Sequence, residues 1–190
     1  MHPVAPTIHA PSPLRKFIRS RFLERTARAI PRSQDVLDLC CGYGFYFSIN
    51  PRARGVDGDP QAVAQLRERG YAVEWANVLE GLPFAPASFG VVVAHDVFEH
   101  FSFAQLEGLV PEIHRVLRPG GRLIVWVPNA RGYELGVNNG SGHVLFVTAA
   151  EIERLIPGRF RLEKHYAEPL PRLVGQYFAH NKEVFVLQRL

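Results

Sequence analysis

Two apolar runs constrain the fold of this chain more than any other feature: Val91 to Ala94, inside the segment Phe89–His95, and Leu123 to Val127, inside Arg122–Val127. A strand with one wet face alternates apolar and polar residues. An unbroken apolar run of this length is a strand covered on both faces, which is the situation of a parallel sheet between layers of helices. Further short runs predict strands at Val36–Leu39, Ala53–Val56, Tyr71–Trp75, Phe160–His165 and Lys182–Gln188. Between them lie helical patterns at 13–30, Tyr43–Ile49, Pro60–Arg69, Phe103–Leu117 and Thr148–Ile156. Pro60 suits a first helical turn. The helix from Phe103 carries Leu106, Leu109, Val110, Ile113 and Leu117 on one face, and Pro119-Gly120-Gly121 is expected to stop it. Thr148 and Glu151 make a capping box for the last helix. Strand and helix in alternation predict an α/β fold.

With 190 residues, 47% of them hydrophobic and 21% charged, the chain has the apolar content for one compact core. The first 13 residues hold four prolines, so 1–12 is expected to be a flexible arm. Residues 13–190 are expected to form one domain, a helix at 13–30 followed by a core at 35–190. No apolar run approaches the roughly 18 residues of a membrane span, and no signal-peptide core is present, so a cytoplasmic location is the expectation. Cys40 and Cys41 are neighbours and the only cysteines. That geometry is poor for a disulfide, and two cysteines alone make neither a disulfide framework nor a cysteine-based zinc site. The net charge of +4 is concentrated at the N-terminal end, in Arg15, Lys16, Arg19, Arg21, Arg25, Arg28 and Arg32. A solvated helix face explains this more economically than a phosphate-binding patch.

The turn after the first strand, VLDLCCGYGFY, holds Gly42 and Gly44 at a strand-to-helix junction, where backbone comes close to a ligand. Asp38 decides what kind of ligand. An aspartate at this strand end would repel the pyrophosphate of a dinucleotide, whereas a ligand with an ammonium group would welcome it. Asp57 stands 19 residues on, at the end of the second strand, where a carboxylate can accept both hydroxyls of a ribose. An acid, two glycines and a second acid suit an adenosyl group attached to an amino acid.

In VLDLCCGYG, GVDGDP, ANVLEGLPFAPASFGVVVAHDVFEHF and RVLRPGGRLIVWVPN, taken in order, the sequence resembles the class I S-adenosylmethionine-dependent methyltransferases. The resemblance runs from about Val36 to the C-terminus. It implies a Rossmann-like seven-stranded, mostly parallel sheet with helices on both faces and the last strand antiparallel. It implies S-adenosylmethionine as cofactor, with Asp38, Cys40, Gly42 and Gly44 at its methionine end. Asp57 and Gly58 would lie at the ribose, Asn77 and Val78 at the adenine, and His95 at the sulfonium end of the fourth strand. Cys40 stands where the family's first motif has glycine, so that turn position must tolerate a Cβ. Asn77 stands where an aspartate is common.

Asp96, Glu99 and His100 form D-x-x-E-H, expected at the start of the helix after the fourth strand, where i, i+3 and i+4 share a face. The pattern is similar to the metal motif of ubiquinone-biosynthesis O-methyltransferases and of small-RNA 2′-O-methyltransferases. In the latter a later histidine follows the fifth strand, a place His143 would match. The competing reading is a metal-free Glu-His pair packed near the cofactor. His100 and His143 are the candidate catalytic bases, needed only where the acceptor must lose a proton. No Asn/Asp-Pro-Pro-Tyr-type motif follows the fourth strand, which disfavours amino methylation of DNA or glutamine. The leading expectation is methyl transfer to a small-molecule acceptor at oxygen, with the Gly/Asn-rich segment 129–147 over the site. RNA 2′-O-methylation and a non-catalytic cofactor-binding regulator are the alternatives.

Overall fold

The computed structural model describes residues 29–30, 32–33, 35–134, 142–168 and 182–190. The expected arm at 1–12, nearly all of the expected helix at 13–30 and part of the segment 129–147 lie outside the described residues. Among the latter, seven strands form one sheet: β1 (Val36–Leu39), β2 (Arg54–Asp57), β3 (Ala72–Trp75), β4 (Phe89–His95), β5 (Leu117–Pro128), β6 (Phe160–Glu168) and β7 (Lys182–Arg189). Their order is β3-β2-β1-β4-β5-β7-β6. Neighbours from β3 through β5 run parallel, and β7 lies antiparallel between β5 and β6. This is the Rossmann-like sheet with its last strand reversed.

The helices are α1 (Pro60–Glu68), α2 (Phe103–Val116), α3 (Ala130–Glu134) and α4 (Ala149–Leu155). Consecutive strand residues feed two separate cores. Leu37, Val92, Val125 and Phe185 pack with Leu106, Leu109 and Ile113 of α2 and with Ile152 and Leu155 of α4. Val36, Val93, Ile124 and Val184 pack on the other face with Val63 and Leu66 of α1 and with Phe47. Every residue of the two unbroken apolar runs is buried except Val91, which is half-buried. Full burial of one such leucine or isoleucine stabilises the fold by about 1.5–3 kcal/mol. Among the described residues, no helix is long and apolar enough to cross a membrane.

Two local expectations change. Tyr43–Ile49 winds only as a 3-10 turn at Tyr46–Ser48, because its amides close i→i+3 contacts: Gly44 to Cys41 O, Ser48 to Phe45 O and Ile49 to Tyr46 O. Pro119-Gly120-Gly121 does end α2, but the stretch lies inside β5 rather than between elements. Phe89 pairs with Leu117 and Val91 with Arg122, so Arg118 to Gly121 bulge out of the ladder. Thr148 caps α4 with Glu151 as expected. A second capping box, Ser102 with Gln105, starts α2.

Candidate functional site

Strand order reverses between β1 and β4, and in open α/β sheets the crevice at the carboxyl ends of such strands is the binding place. The register brings Leu39 of β1 beside Val56 of β2, with Asp57 and His95 ending β2 and β4. The turn after β1 therefore faces the loops after β2 and β4. A cleft of about 590 Å³ opens elsewhere, over the sheet face at Val91, Ile124, Leu162, Tyr166 and Val186. It is lined by no residue of the motif loops, so chemistry rather than volume locates the site.

The Asp57 carboxylate ties two loops together. Gly42 N–H donates to Oδ2 at 2.7 Å and Asp59 N–H to Oδ1 at 2.8 Å. A carboxylate has about four lone-pair directions, so two remain for the hydroxyls of a diol. Asp38 is buried, 3% exposed. Burial, and then the negative charge of Asp57, push its carboxyl well above the usual carboxylate range. A crevice holding these two acids is relieved by a cationic ligand and opposed by a phosphate. Gly42 has open space where a Cβ would stand, whereas a Cβ on Gly44 would come 2.4 Å from Leu66 Cδ2 at a φ of +83°. One glycine leaves room for a ligand, and the other lets α1 pack against the turn. The residues present thus fit an adenosyl amino acid carrying positive charge.

Cys40 occupies the left-handed region, φ 51°, the conformation for which glycine is the usual choice. Burial, followed by the charges of Asp57 and Asp38, pushes its thiol up to about 12. Burial likewise raises that of Cys41, which sits in the core. Both thiols stay protonated at neutral pH, and neither is a nucleophile. Cys40→Gly is expected to relieve the strain and lose a little packing. Calorimetry on that variant should give an affinity for S-adenosylmethionine within about threefold of wild type, less than about 0.7 kcal/mol; a larger loss would assign the thiol a contact of its own.

Asn77 does not present its amide to the crevice. Its Nδ2 donates to Glu80 Oε1 at 2.8 Å, and its Oδ1 accepts from Leu79 N at 3.2 Å, so the side chain builds its own turn. Val78 points into the core. What these two residues offer an adenine is backbone. The turn that follows is held from α2, where Arg115 donates to Leu82 O and Phe84 O and Glu112 accepts from Leu82 N. His95 packs its ring against Phe45 and Trp126, at 5.3 and 5.8 Å between centroids. Trp75 was not anticipated: this exposed indole at the end of β3 donates to Gly58 O at 3.1 Å. An exposed aromatic at a strand end was the only sequence signal for it.

D-x-x-E-H is not one helical face. Asp96 has a φ of 56°, Glu99 and His100 lie in a 3-10 turn at Phe98–His100, and α2 begins only at Phe103. Asp96 is ion-paired with Lys182 of β7 at 2.5 Å, so the expected Asp96, Glu99, His100 set does not assemble. Glu99, His100 and His143 come together instead. Val144 N and Leu145 N donate to Glu99 O at 2.8 and 3.2 Å, which fixes the segment carrying His143 against the turn carrying Glu99.

Comparison with known proteins agrees with this geometry. Residues 37–125 match the family model described as a methyltransferase domain. A probable S-adenosylmethionine-dependent methyltransferase of Mycolicibacterium smegmatis is 36% identical over 132 residues, 65% of this chain and 50% of the relative. A probable tRNA methyltransferase 9B of Bos taurus is 34% identical over 95 residues, 48% of this chain and 21% of the relative. The chain spans about half the length of the first, and less of the second. A solved S-adenosylmethionine-dependent methyltransferase from Archaeoglobus fulgidus shares the fold with a TM-score of 0.69, covering 92% of this chain and 94% of that one at 14% identity.

Proposed function

The chain belongs to the class I S-adenosylmethionine-dependent methyltransferases, and from that membership we propose that it transfers a methyl group to an oxygen of a small-molecule acceptor. The observation that carries the cofactor part is the Asp57 carboxylate joined to the Gly42 amide beside the buried acid Asp38. In this reading Asp57 and Gly58 hold the ribose. Asp38, Cys40, Gly42 and Gly44 surround the methionine end, and the backbone of Asn77 and Val78 borders the adenine. His95 packs at the end of β4 and shapes the crevice wall.

S-adenosylmethionine supplies an electrophilic methyl group on a sulfonium. The protein's part is to align the acceptor oxygen for in-line attack at near-contact distance and to exclude water. A hydroxyl acceptor must also lose its proton. His143 is suited to receive it: burial first, then the charges of His100 and Lys182, lower its pKa, so the ring is neutral at pH 7. His100, at 4.8 Å between ring centroids, is its partner in that role. Val144 and Phe146 are exposed apolar residues on the same segment and favour an acceptor with an apolar body.

A second reading, methylation of RNA at oxygen, is favoured by the likeness to a relative named as a probable tRNA methyltransferase. Incubation with methyl-labelled S-adenosylmethionine and fractionated cell extract separates the two. Label in a small-molecule fraction is the expected result. Label in RNA overturns the small-molecule acceptor, and label in no fraction while the cofactor still binds overturns catalysis.

A further inference from the structure

We propose that Trp75 is a cofactor-binding residue, its indole forming an aromatic wall for the adenine of S-adenosylmethionine. The inference rests on the methyltransferase reading and adds to it a side chain outside the four motif segments.

Strand order carries the first step. β1, β2 and β3 are successive neighbours in the sheet, and the crevice lies at their carboxyl ends. The methionine end belongs to the turn after β1, and the ribose to Asp57, the last residue of β2. Continued by one strand, the same line brings the adenine to the end of β3, and Trp75 is the last residue there. Trp75 is the register partner of Asp57, so the two side chains leave the sheet on the same face. An adenosine held by the Asp57 carboxylate therefore extends its base toward the indole.

The indole is fixed before any ligand arrives. Its Nε1 donates to Gly58 O at 3.1 Å, and Ala76 N donates to Asp57 O at 3.0 Å. The end of β3 is thus laced to the two residues that hold the ribose. An indole has one donor and no acceptor. With that donor engaged, what Trp75 offers a ligand is the face of its ring, and the residue is 58% exposed. A ring already held in position loses little further side-chain entropy when a base stacks on it.

Gly58 keeps the approach open. Its backbone is not left-handed, and a Cβ there would meet only Ala76 O, at 3.6 Å, an ordinary contact. Neither backbone conformation nor crowding demands glycine at this position. The missing side chain leaves space beside Asp57, where the indole is pinned. A stacked indole recognises a planar ring and reads none of its edge atoms. Trp75 therefore contributes affinity, and the edge of the base falls to the backbone of Asn77 and Val78.

The test uses the full chain. It contains two tryptophans, Trp75 and Trp126, and Trp126 is 2% exposed. Titration with S-adenosylhomocysteine should change the tryptophan emission, saturating at one equivalent. Trp75→Phe keeps a ring: it should abolish that change yet bind within about threefold of wild type. Trp75→Ala should weaken calorimetric affinity for S-adenosylmethionine and S-adenosylhomocysteine alike by about 5- to 100-fold, the range for a base stacked on an aromatic side chain. The melting temperature is the fold control. Wild-type affinity in folded Trp75→Ala, or an emission change that persists in Trp75→Phe, overturns the contact and leaves the methyltransferase reading standing. Trp75→Phe as weak as Trp75→Ala traces the loss to the hydrogen bond on Gly58 O and overturns the stacking wall. Absence of cofactor binding in the wild type overturns the methyltransferase reading, and the contact falls with it. If Trp75→Ala does not fold, the emission of Trp75→Phe decides alone.

Discussion

Replacing Asp57 with alanine is expected to weaken binding of S-adenosylmethionine by about 100-fold or more. Two backbone amides, from Gly42 and Asp59, converge on this one carboxylate, so its loss frees the turns after both β1 and β2. A hydrogen bond to a charged group contributes about 1.5–3 kcal/mol, and the two proposed from the ribose hydroxyls to these oxygens amount to two decades of affinity or more at 1.4 kcal/mol per decade. The freed turns add to that. Both amides sit in part-buried surroundings where water can replace the lost acceptor, so stability should fall far less than affinity. Calorimetric titration checks the claim, with the melting temperature as fold control. Asp57→Asn, which keeps one acceptor oxygen, should fall between. Wild-type affinity in Asp57→Ala would refute the assignment of the cofactor crevice.

The second large effect concerns stability. Gly121→Ala is expected to lower the melting temperature by roughly 2–12 °C, from an overpacking cost of about 1–3 kcal/mol at 2–4 °C per kcal/mol. Its Cβ would stand 2.9 Å from two backbone carbonyl oxygens, Arg118 O and Gly90 O. A backbone carbonyl cannot swing aside as the end of a flexible side chain can. Gly120 next to it is the control. An added Cβ there meets open space, and only its φ of +73° is strained, a cost of about 1–2 kcal/mol. Gly120→Ala should therefore melt above Gly121→Ala in a thermal scan. The reverse order would mean that the bulge of β5 relaxes around the new methyl group.

These two glycines show where sequence reading reaches its limit. Pro119-Gly120-Gly121 was legible as a stop signal for α2, because the residue types alone disfavour helix. That the stretch would then bulge within β5, pressed against Gly90, depends on how β4 and β5 pair. The Ser102–Gln105 box was legible too, as S-x-x-Q before an apolar run, and went unread. Asn77 illustrates a different limit. Its amide was expected near adenine, but an asparagine side chain bonds readily to its own backbone neighbourhood, and here it does.

The candidate site divides along the same line. Asp38, Gly42, Gly44 and Asp57 sit at strand ends, so strand periodicity and spacing were enough to put them at one edge of a parallel sheet. The chemistry around D-x-x-E-H was not legible. Helical spacing predicted that Asp96, Glu99 and His100 share a face, but a residue at φ 56° and a 3-10 turn take them off it. Asp96 finds its partner 86 residues away, in a strand whose antiparallel insertion no local pattern announces.

By itself, then, the sequence determined the α/β class, the sheet buried on both faces, the order of its elements and the place of Asp38 and Asp57 toward the strand ends. Each of these follows from residue periodicity or from a residue's place at a strand end, which are local properties. The tertiary structure alone decided that His143 meets Glu99 and His100, that Lys182 engages Asp96, and that one carboxylate of Asp57 organises two loops. Those are pairings between segments distant in the chain, set by strand order and register, and no local pattern encodes them.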